Sequence, residues 1–345
     1  MEGNLISSVV RAVVVLLALA GLGTPPASAA MAPRPDVARV ATSSPGLAVG
    51  RSAWVSVAVA RLWESPSAPW PVDAPALRSP VRFRAWLHRM TFEERKALDT
   101  RSDTEALLGD RVVVVRLRPH WVKVVVPPQP SQKDPRGYPG WVPRRQLTAR
   151  APTRTGQVAT VTERTAWLHT DDADHLRRTE ISFGTTLPVL GQVGRFVRVL
   201  TPQGAARRLN SAAVAVHAAG EAAIGISRAG LERTARSFLG LPYLWGGLSG
   251  FGIDCSGLTW LDYRVHGIRI PRDALPQSRH GRRTSTPRVG DLLFYASDGL
   301  VHHVSMSLGG GLIIDAPHTG GVVEIVSFSQ EPLRSEYSGA RSYVP

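Results

Sequence analysis

Cys255 is the single cysteine among 345 residues, so no internal disulfide can form and its chemistry is that of a lone sulfur. It lies in Phe251-Gly252-Ile253-Asp254-Cys255-Ser256-Gly257-Leu258, and Leu258, Leu261 and Val265 continue at helical spacing. Asp254 is a suitable N-cap, which puts Cys255 in the first turn of a helix. There the unpaired N–H groups and the helix dipole favour negative charge on sulfur, the form that attacks carbon. A buried inert thiol is the ordinary fate of a free cysteine. A glycine-flanked cysteine at a helix start favours the nucleophile instead.

A thiol nucleophile needs a base, and the chain offers 10 histidines. Val301 to Leu308 reads as a strand, Gly309-Gly310-Gly311 as a turn, and Leu312 to Asp315 as the returning strand. A turn of odd length keeps odd residues facing odd residues, so His303 falls opposite or diagonal to Asp315 on one face. His302 and His318 are expected to point the other way. Cys255, His303 and Asp315 then read as nucleophile, base and orienter, with Asp315 fixing the imidazole tautomer. His302, His303, Asp315 and His318 could instead hold a metal, but no His-Glu-x-x-His and no cysteine pair accompanies them. Neither a metal nor another cofactor is expected.

These residues must be positioned by the elements around them. Residues 227–345 read as an α+β domain: Ser227 caps a helix with Leu231, Ala235, Phe238 and Leu239 on one face, stopped by Gly240 and Pro242, and strands dominate from Leu292 onward. Upstream, residues 51–150 read as a small β module with a helical insertion. Val55, Val57 and Val59 alternate as in a strand, Val112–Val115 and Trp121–Val126 are β-branched runs, and Phe83, Trp86, Leu87 and Met90 fall at helical spacing. Thr91-Phe92-Glu93-Glu94 is a capping-box pattern. Residues 151–217 repeat the β pattern without the insertion, and Gly194 to Val199 resembles the Trp121 strand. Residues 30–50 and 218–226 read as linkers.

Residues 1–29 read as a cleavable export signal, with an uncleaved anchor as the alternative. Arg11 precedes an apolar run over 12–22, too short for the roughly 20 residues of a membrane span, and Ala27-Ser28-Ala29 is a small-x-small cleavage signal. The mature chain is expected outside the membrane, with no integral membrane segment. The net charge is +14, from 41 Lys+Arg against 27 Asp+Glu, and only Lys96, Lys123 and Lys133 are lysines. The basic residues are scattered, which argues against a nucleic-acid partner and leaves association with an anionic cell wall.

Asp254-Cys255-Ser256-Gly257, Gly290-Asp291-Leu292-Leu293-Phe294 and His303-Val304, in that order, resemble the NlpC/P60 cysteine peptidases, papain-like enzymes that cut bacterial wall peptides. Tyr243, in Pro242-Tyr243-Leu244-Trp245-Gly246-Gly247, matches the family tyrosine near the oxyanion. Gly137-Tyr138-Pro139-Gly140-Trp141-Val142-Pro143, Ile270-Pro271-Arg272-Asp273 and Gly339-Ala340-Arg341 are similar to the family members that cleave after γ-D-Glu. The resemblance covers nearly the whole mature chain. It implies two SH3-like barrels ahead of the catalytic domain, and hydrolysis of the γ-D-Glu–diamino acid bond of peptidoglycan stem peptides with a free N-terminal L-Ala.

The resemblance also implies the residues that hold that free amine and its peptide: Tyr138, Asp254, Ser256, Asp273 and Glu105. Each has a plainer reading. Tyr138 could pack in its turn, Asp254 and Asp273 could cap helices, and Glu105 completes a capping-box pattern with Ser102. Two departures from the family pattern stand out. Asp315 occupies a position usually held by His, and Ala274 stands where a serine is expected. An endopeptidase or amidase acting on intact peptidoglycan without an amine requirement, and a non-catalytic wall-binding protein, remain alternatives at this stage.

Overall fold

The computed structural model describes residues 46–153 and 155–345. The expected export signal at 1–29 and most of the expected linker at 30–50 lie outside them. Among the described residues no helix is long and apolar enough to cross a membrane.

The first β unit is a seven-stranded antiparallel sheet: β1 (Ser52–Val55), β2 (Val59–Trp63), β3 (Ser102–Leu107), β4 (Arg111–Leu117), β5 (Trp121–Val126), β6 (Tyr138–Pro143) and β7 (Leu147–Thr148). The alternating valines do not form one strand. β1 pairs with β4 and β7, whereas β2 pairs with β3 and β6. The chain crosses from one side of the sheet to the other at Ser56–Ala58, and Val55, Val57 and Val59 stay buried throughout.

The insertion between β2 and β3 carries α1 (Phe83–Arg89) and α2 (Phe92–Lys96). Thr91 and Glu94 form the expected capping box at α2. Trp86 is fully buried, donates from its indole nitrogen to Asp73 at 2.8 Å, and packs edge-on to Phe83 at 5.0 Å. Truncating it to Ala would cost about 3–5 kcal/mol. The capping box proposed for Ser102 and Glu105 does not exist. Both residues lie in β3, because pairing with β2 satisfies the backbone groups that a helix start would leave open.

The second unit is another seven-stranded antiparallel sheet: β8 (Gln157–Val161), β9 (Thr165–His169), β10 (Arg177–Ser182), β11 (Thr186–Val193), β12 (Phe196–Leu200), β13 (Ala206–Asn210) and β14 (Val214–Ala218). The first sheet covers a valine-rich core, and the second covers a mixed Val, Leu and Ala core to which Ala58 and Leu108 of the first unit also contribute. Residues 219–226 are tied down rather than loose: the Ile224 N–H donates to the Val265 carbonyl at 3.0 Å.

The third unit holds α3 (Arg228–Arg236), a two-strand ribbon β15 (Leu248–Ser249) and β16 (Gly252–Ile253), then α4 (Cys255–Val265) and α5 (Ala274–Arg279). A six-stranded sheet follows: β17 (Arg282–Thr284), β18 (Leu292–Ser297), β19 (Leu300–Gly309), β20 (Leu312–Asp315), β21 (Glu324–Ser327) and, after α6 (Leu333–Glu336), β22 (Tyr337–Ser342). The Ser227 hydroxyl caps α3 by accepting from the Gly230 N–H. The helix ends at Arg236, ahead of the expected stop at Gly240, and Phe238 reaches the core from the turn that follows.

The largest core runs through all three units. Trp63, Leu107 and Trp141 of the first sheet, Trp86 of the insertion and Phe183 in the turn after β10 pack with Leu258, Trp260 and Leu261 of α4. The units therefore share one apolar interior, which fixes the first unit against the face of the third that carries Cys255.

Candidate active site

Asp254 is the N-cap of α4, and its Oδ1 accepts from the Gly257 N–H at 2.6 Å. Gly257 has no room for a side chain, since a Cβ would lie 2.2 Å from the Gly247 carbonyl oxygen. That close approach presses the start of α4 against the loop after Tyr243. Cys255, the first residue of the helix, is 8% exposed and lines a cavity of about 780 Å³ together with Tyr243, Trp245, His303 and Asp315.

In the hairpin of β19 and β20, Met306 pairs with Ile314 and Ser307 with Ile313. Continuing that register puts Asp315 across from Ser305 and one pleat from His303 on the same face. The diagonal pair is in contact: His303 Nε2 lies 2.7 Å from Asp315 Oδ1. Nε2–H therefore donates to Asp315, which leaves Nδ1 for the sulfur. Burial opposes charge on His303, but its electrostatic interaction with Cys255 and its hydrogen bonds with Asp315 and Cys255 outweigh it. The imidazole pKa is held well above the usual histidine value.

His302 and His318 do not point away from the site, and both line the same cavity. The strand parity fails at a bulge. His303 pairs with Tyr295 and Val301 with Ala296, so His302 is an extra residue on β19. A bulge breaks the alternation and re-aims a side chain. His302 uses this to reach Glu336, 3.3 Å away.

Tyr243 is buried at the cavity wall, and its backbone N–H donates to the Gly321 carbonyl at 2.9 Å. Burial first, then the charges of Cys255 and Asp254, push its phenol pKa well up, so the hydroxyl keeps its proton as a donor. Phe92 and Lys96 of the insertion also line the cavity. Among the described residues, no group of three or more His, Cys, Asp or Glu side chains is arranged around a metal position.

Tyr138 and Asp273 lie 135 positions apart and meet, with the Tyr138 hydroxyl 3.2 Å from Asp273 Oδ1. Asp273 is the N-cap residue of α5, but its side chain makes no capping bond. Burial raises its pKa against the lowering effect of Arg272. Asp254 does more than cap α4: Arg272 donates to it at 2.8 and 3.0 Å, to the Ser256 hydroxyl at 2.9 Å and to Thr104 of β3 at 2.9 Å. Arg272 is itself buried, and this network ties the residues on both sides of Cys255 to the first β unit.

Glu105 is fully buried and separate from the cavity lining. Its two oxygens accept from Arg61 and from the Leu248 N–H, each at 2.9 Å, and Arg61 also donates to the Trp245 carbonyl. Glu105 thus braces the wall that carries Trp245. Asp103, two residues earlier on the same strand, stands next to Tyr138. Lys133 bridges Asp103 at 2.7 Å and Glu64 at 3.0 Å, and its ammonium lies 5.7 Å from the centre of the Tyr138 ring. Burial and a hydrogen bond with Glu64 push the Asp103 pKa up to about 7. Sequence reasoning missed Asp103, Lys133, Arg272 and Trp245. Only the isolated Arg-Asp step after Pro271 hinted at a buried ion pair.

A thiol at a helix start, beside an imidazole oriented by a carboxylate, is the arrangement of a cysteine peptidase, here on a papain-like α+β domain behind two small SH3-like units. The NlpC/P60 family profile matches residues 240–342, and the YKFC SH3b2 domain profile matches residues 161–217. The chain is 38% identical over 303 residues to a γ-D-glutamyl-L-lysine dipeptidyl-peptidase of Bacillus cereus, covering 85% of this chain and 91% of that protein. It is 38% identical over 291 residues to the protein of that name in Bacillus subtilis, covering 82% of this chain and 96% of the relative. The crystal structure of an NlpC/P60 family protein from Bacillus cereus superposes with a TM-score of 0.80 at 37% identity, over 85% of this chain and 100% of that one. The chain belongs to the NlpC/P60 family of cysteine peptidases.

Proposed function

We propose that this chain is an exported γ-D-glutamyl-L-diamino acid endopeptidase that acts on peptidoglycan-derived peptides with a free N-terminal L-Ala. The thiol of Cys255 passes its proton to His303 Nδ1, and the sulfur attacks the γ-carbonyl of D-Glu. As the C–S bond forms, the carbonyl π pair moves to oxygen, where the Tyr243 hydroxyl and the Cys255 N–H donate to it. Collapse breaks the C–N bond, and the diamino acid leaves with the proton from His303. Water then attacks the thioester, His303 takes a proton from it, and L-Ala-γ-D-Glu departs as the thiol reforms. Asp315 holds the imidazole through Nε2–H throughout.

The observation that carries the amine requirement is the Tyr138–Asp273 hydrogen bond, in an acidic corner that includes Asp103. A desolvated ammonium needs charged acceptors, and this corner supplies them. Lys133 already sets an ammonium against Asp103 there. In this reading Asp103 takes the direct role first given to Glu105, which acts from behind through Arg61. Asp254 and Ser256 flank the γ-D-Glu residue. Because the first β unit walls the corner, the cleft suits trimmed peptides rather than intact cross-linked wall. The domain limits at 51–150, 151–217 and 227–345 form part of the same reading.

The test is mass spectrometry of L-Ala-γ-D-Glu-L-Lys and L-Ala-γ-D-Glu-diaminopimelate peptides, free and N-acetylated, with Cys255→Ala as control. Release of L-Ala-γ-D-Glu from the free-amine forms alone is the expected result. Equal cleavage of the acetylated forms would end the amine argument, and no cleavage of either by folded protein would end the peptidase reading. Export is tested by the N-terminal mass of the protein recovered outside the cells.

A further inference from the structure

From residue 274 to residue 290 the chain carries Arg279, Arg282, Arg283 and Arg288 and no Asp or Glu. Elsewhere in the fold some arginines meet carboxylates, as in Arg84–Glu180, Arg198–Asp171 and Arg228–Asp291, and others stand without one, so it is the clustering in this segment that sets it apart. Among the described residues, no carboxylate lies within ion-pair distance of Arg279, Arg283 or Arg341.

The sheet sharpens this imbalance. β17 pairs with β22 so that Arg283 stands directly across from Arg341. Like charges in that position repel and destabilise the pairing. Arg341 is held there by donating from Nε to the Ser278 carbonyl at 2.6 Å. Arg279, Arg283 and Arg341 line one recess of about 400 Å³ with Ser278, Thr284 and Ser338. That volume is in the range of ligand clefts. The recess shares no lining residue with the Cys255 cavity.

We propose that this recess binds a linear phosphodiester polymer. One phosphate sits between Arg283 and Arg341 with Arg279 beside it, and its neighbours along the chain meet the exposed Arg282 and Arg288. Guanidinium groups grip phosphate oxygens through paired N–H donors, and a bound phosphate turns the Arg283–Arg341 repulsion into a shared attraction. A single carboxylate is satisfied by one guanidinium and would leave the others unopposed. The exposed arginines outside the recess fit a chain of phosphates rather than one small anion, and the +14 charge draws such a polymer in from a distance.

The experiment titrates the mature protein with labelled poly(glycerol phosphate) at several salt concentrations. It compares wild type, Arg279→Gln/Arg283→Gln, and Arg144→Gln/Arg145→Gln, the last pair being exposed arginines of the first β unit. The expected result is about tenfold weaker binding and a shallower salt slope for the first variant, with less than about twofold change for the second. Cleavage of a small peptide should not change in either variant. Equal losses in both variants would overturn the proposal, because charge would then act diffusely. So would tighter binding to phosphatidylglycerol vesicles than to the polymer. An oligodeoxynucleotide arm shows whether the polyol backbone matters, and binding as tight as the polymer's would limit the site to the phosphodiester itself. The readout is binding, so it stands whether or not the peptidase reading holds.

Discussion

Two acid–histidine pairs sit at opposite ends of α4, and they behave in opposite ways. Beside Cys255, at the start of the helix, His303 and Asp315 are 2.7 Å apart and line a cavity. At the last turn, His266 and Asp262 are 3.5 Å apart and wholly enclosed. His266 Nδ1–H donates to the Gly225 carbonyl at 3.2 Å, and Nε2 accepts from the Thr234 hydroxyl at 3.1 Å. Neither oxygen of Asp262 has a hydrogen-bond partner. Burial pushes Asp262 well above the usual carboxyl range and lowers His266, whereas His303 is raised. Burial thus disfavours the charged form of both His266 and Asp262, whereas the charged form of His303 is favoured. What differs is the company: His303 meets Cys255 and Asp315 at a cavity, whereas burial dominates at the enclosed pair, with only the Gly225 carbonyl and the Thr234 hydroxyl bonded to His266.

The largest effect expected from breaking the first pair's setting is that of Cys255→Ala. Peptide hydrolysis should fall by at least about 10⁴-fold while the protein stays folded, because the change removes the reacting atom and only one atom from the edge of the core. Retained hydrolysis in that variant would remove Cys255 from the chemistry.

Asp315→Asn should lower kcat/KM by about 10³-fold, since the tautomer and the charge on His303 both depend on the carboxylate. His303 is raised partly by Asp315, so the alkaline limb of the pH–rate profile should move to lower pH in this variant. An unmoved limb would show that Asp315 only packs. Asp262→Asn, on the other pair, should leave the whole profile in place.

Asp273→Asn and Asp103→Asn should each raise KM for a free-amine peptide about tenfold with little change in kcat, the scale of one charge-assisted hydrogen bond. With its pKa at about 7, Asp103 gains a proton as the pH falls through that value. KM should therefore rise on the acid side in wild type, and this rise should be absent in Asp103→Asn. Steady-state kinetics between pH 5 and 9 reads both outcomes.

The smallest effect concerns stability. The Asp262 pKa is raised in the fold above its ordinary 3.8, so its contribution is complete below about pH 4 and is lost as pH rises through the folded value. The slope over that window is about 1.4 kcal/mol per pH unit. His266 runs the other way: its pKa is lowered from 6.5, so its contribution is present above that pH and lost as pH falls. Thermal unfolding against pH should show Asp262→Asn removing the alkaline decline and keeping the acid one. An unchanged alkaline decline would place its origin elsewhere.

Much of the site was legible because it is local. The cap at Asp254, the helix that follows Cys255 and the hairpin that joins His303 to Asp315 each depend on residues within about a dozen positions, where capping and strand parity rule. The readings that failed were overruled by pairing partners far along the chain. Ser102 and Glu105 look like a helix start, yet β2 and β3 pair across the 41 positions between Arg61 and Ser102. Val55 to Val59 reads as one strand until β7 claims Val55 and β3 claims Val59. His302 turned toward the cavity because a bulge against β18 breaks the alternation that parity assumes.

Taken alone, the sequence placed Cys255 at the start of a helix and His303 and Asp315 on one face of a hairpin, and it set the order of two β units ahead of the catalytic domain. Their signals are short-range patterns in charge, glycine and apolar spacing. Only the tertiary structure decided that Tyr138 meets Asp273, that Arg272 joins Asp254 and Ser256 to Thr104, and that Arg283 faces Arg341. Each of these contacts closes a long loop of chain. No local pattern encodes such closure, and here it is the shared apolar core around Trp86, Phe183 and Trp260 that offsets its entropy cost.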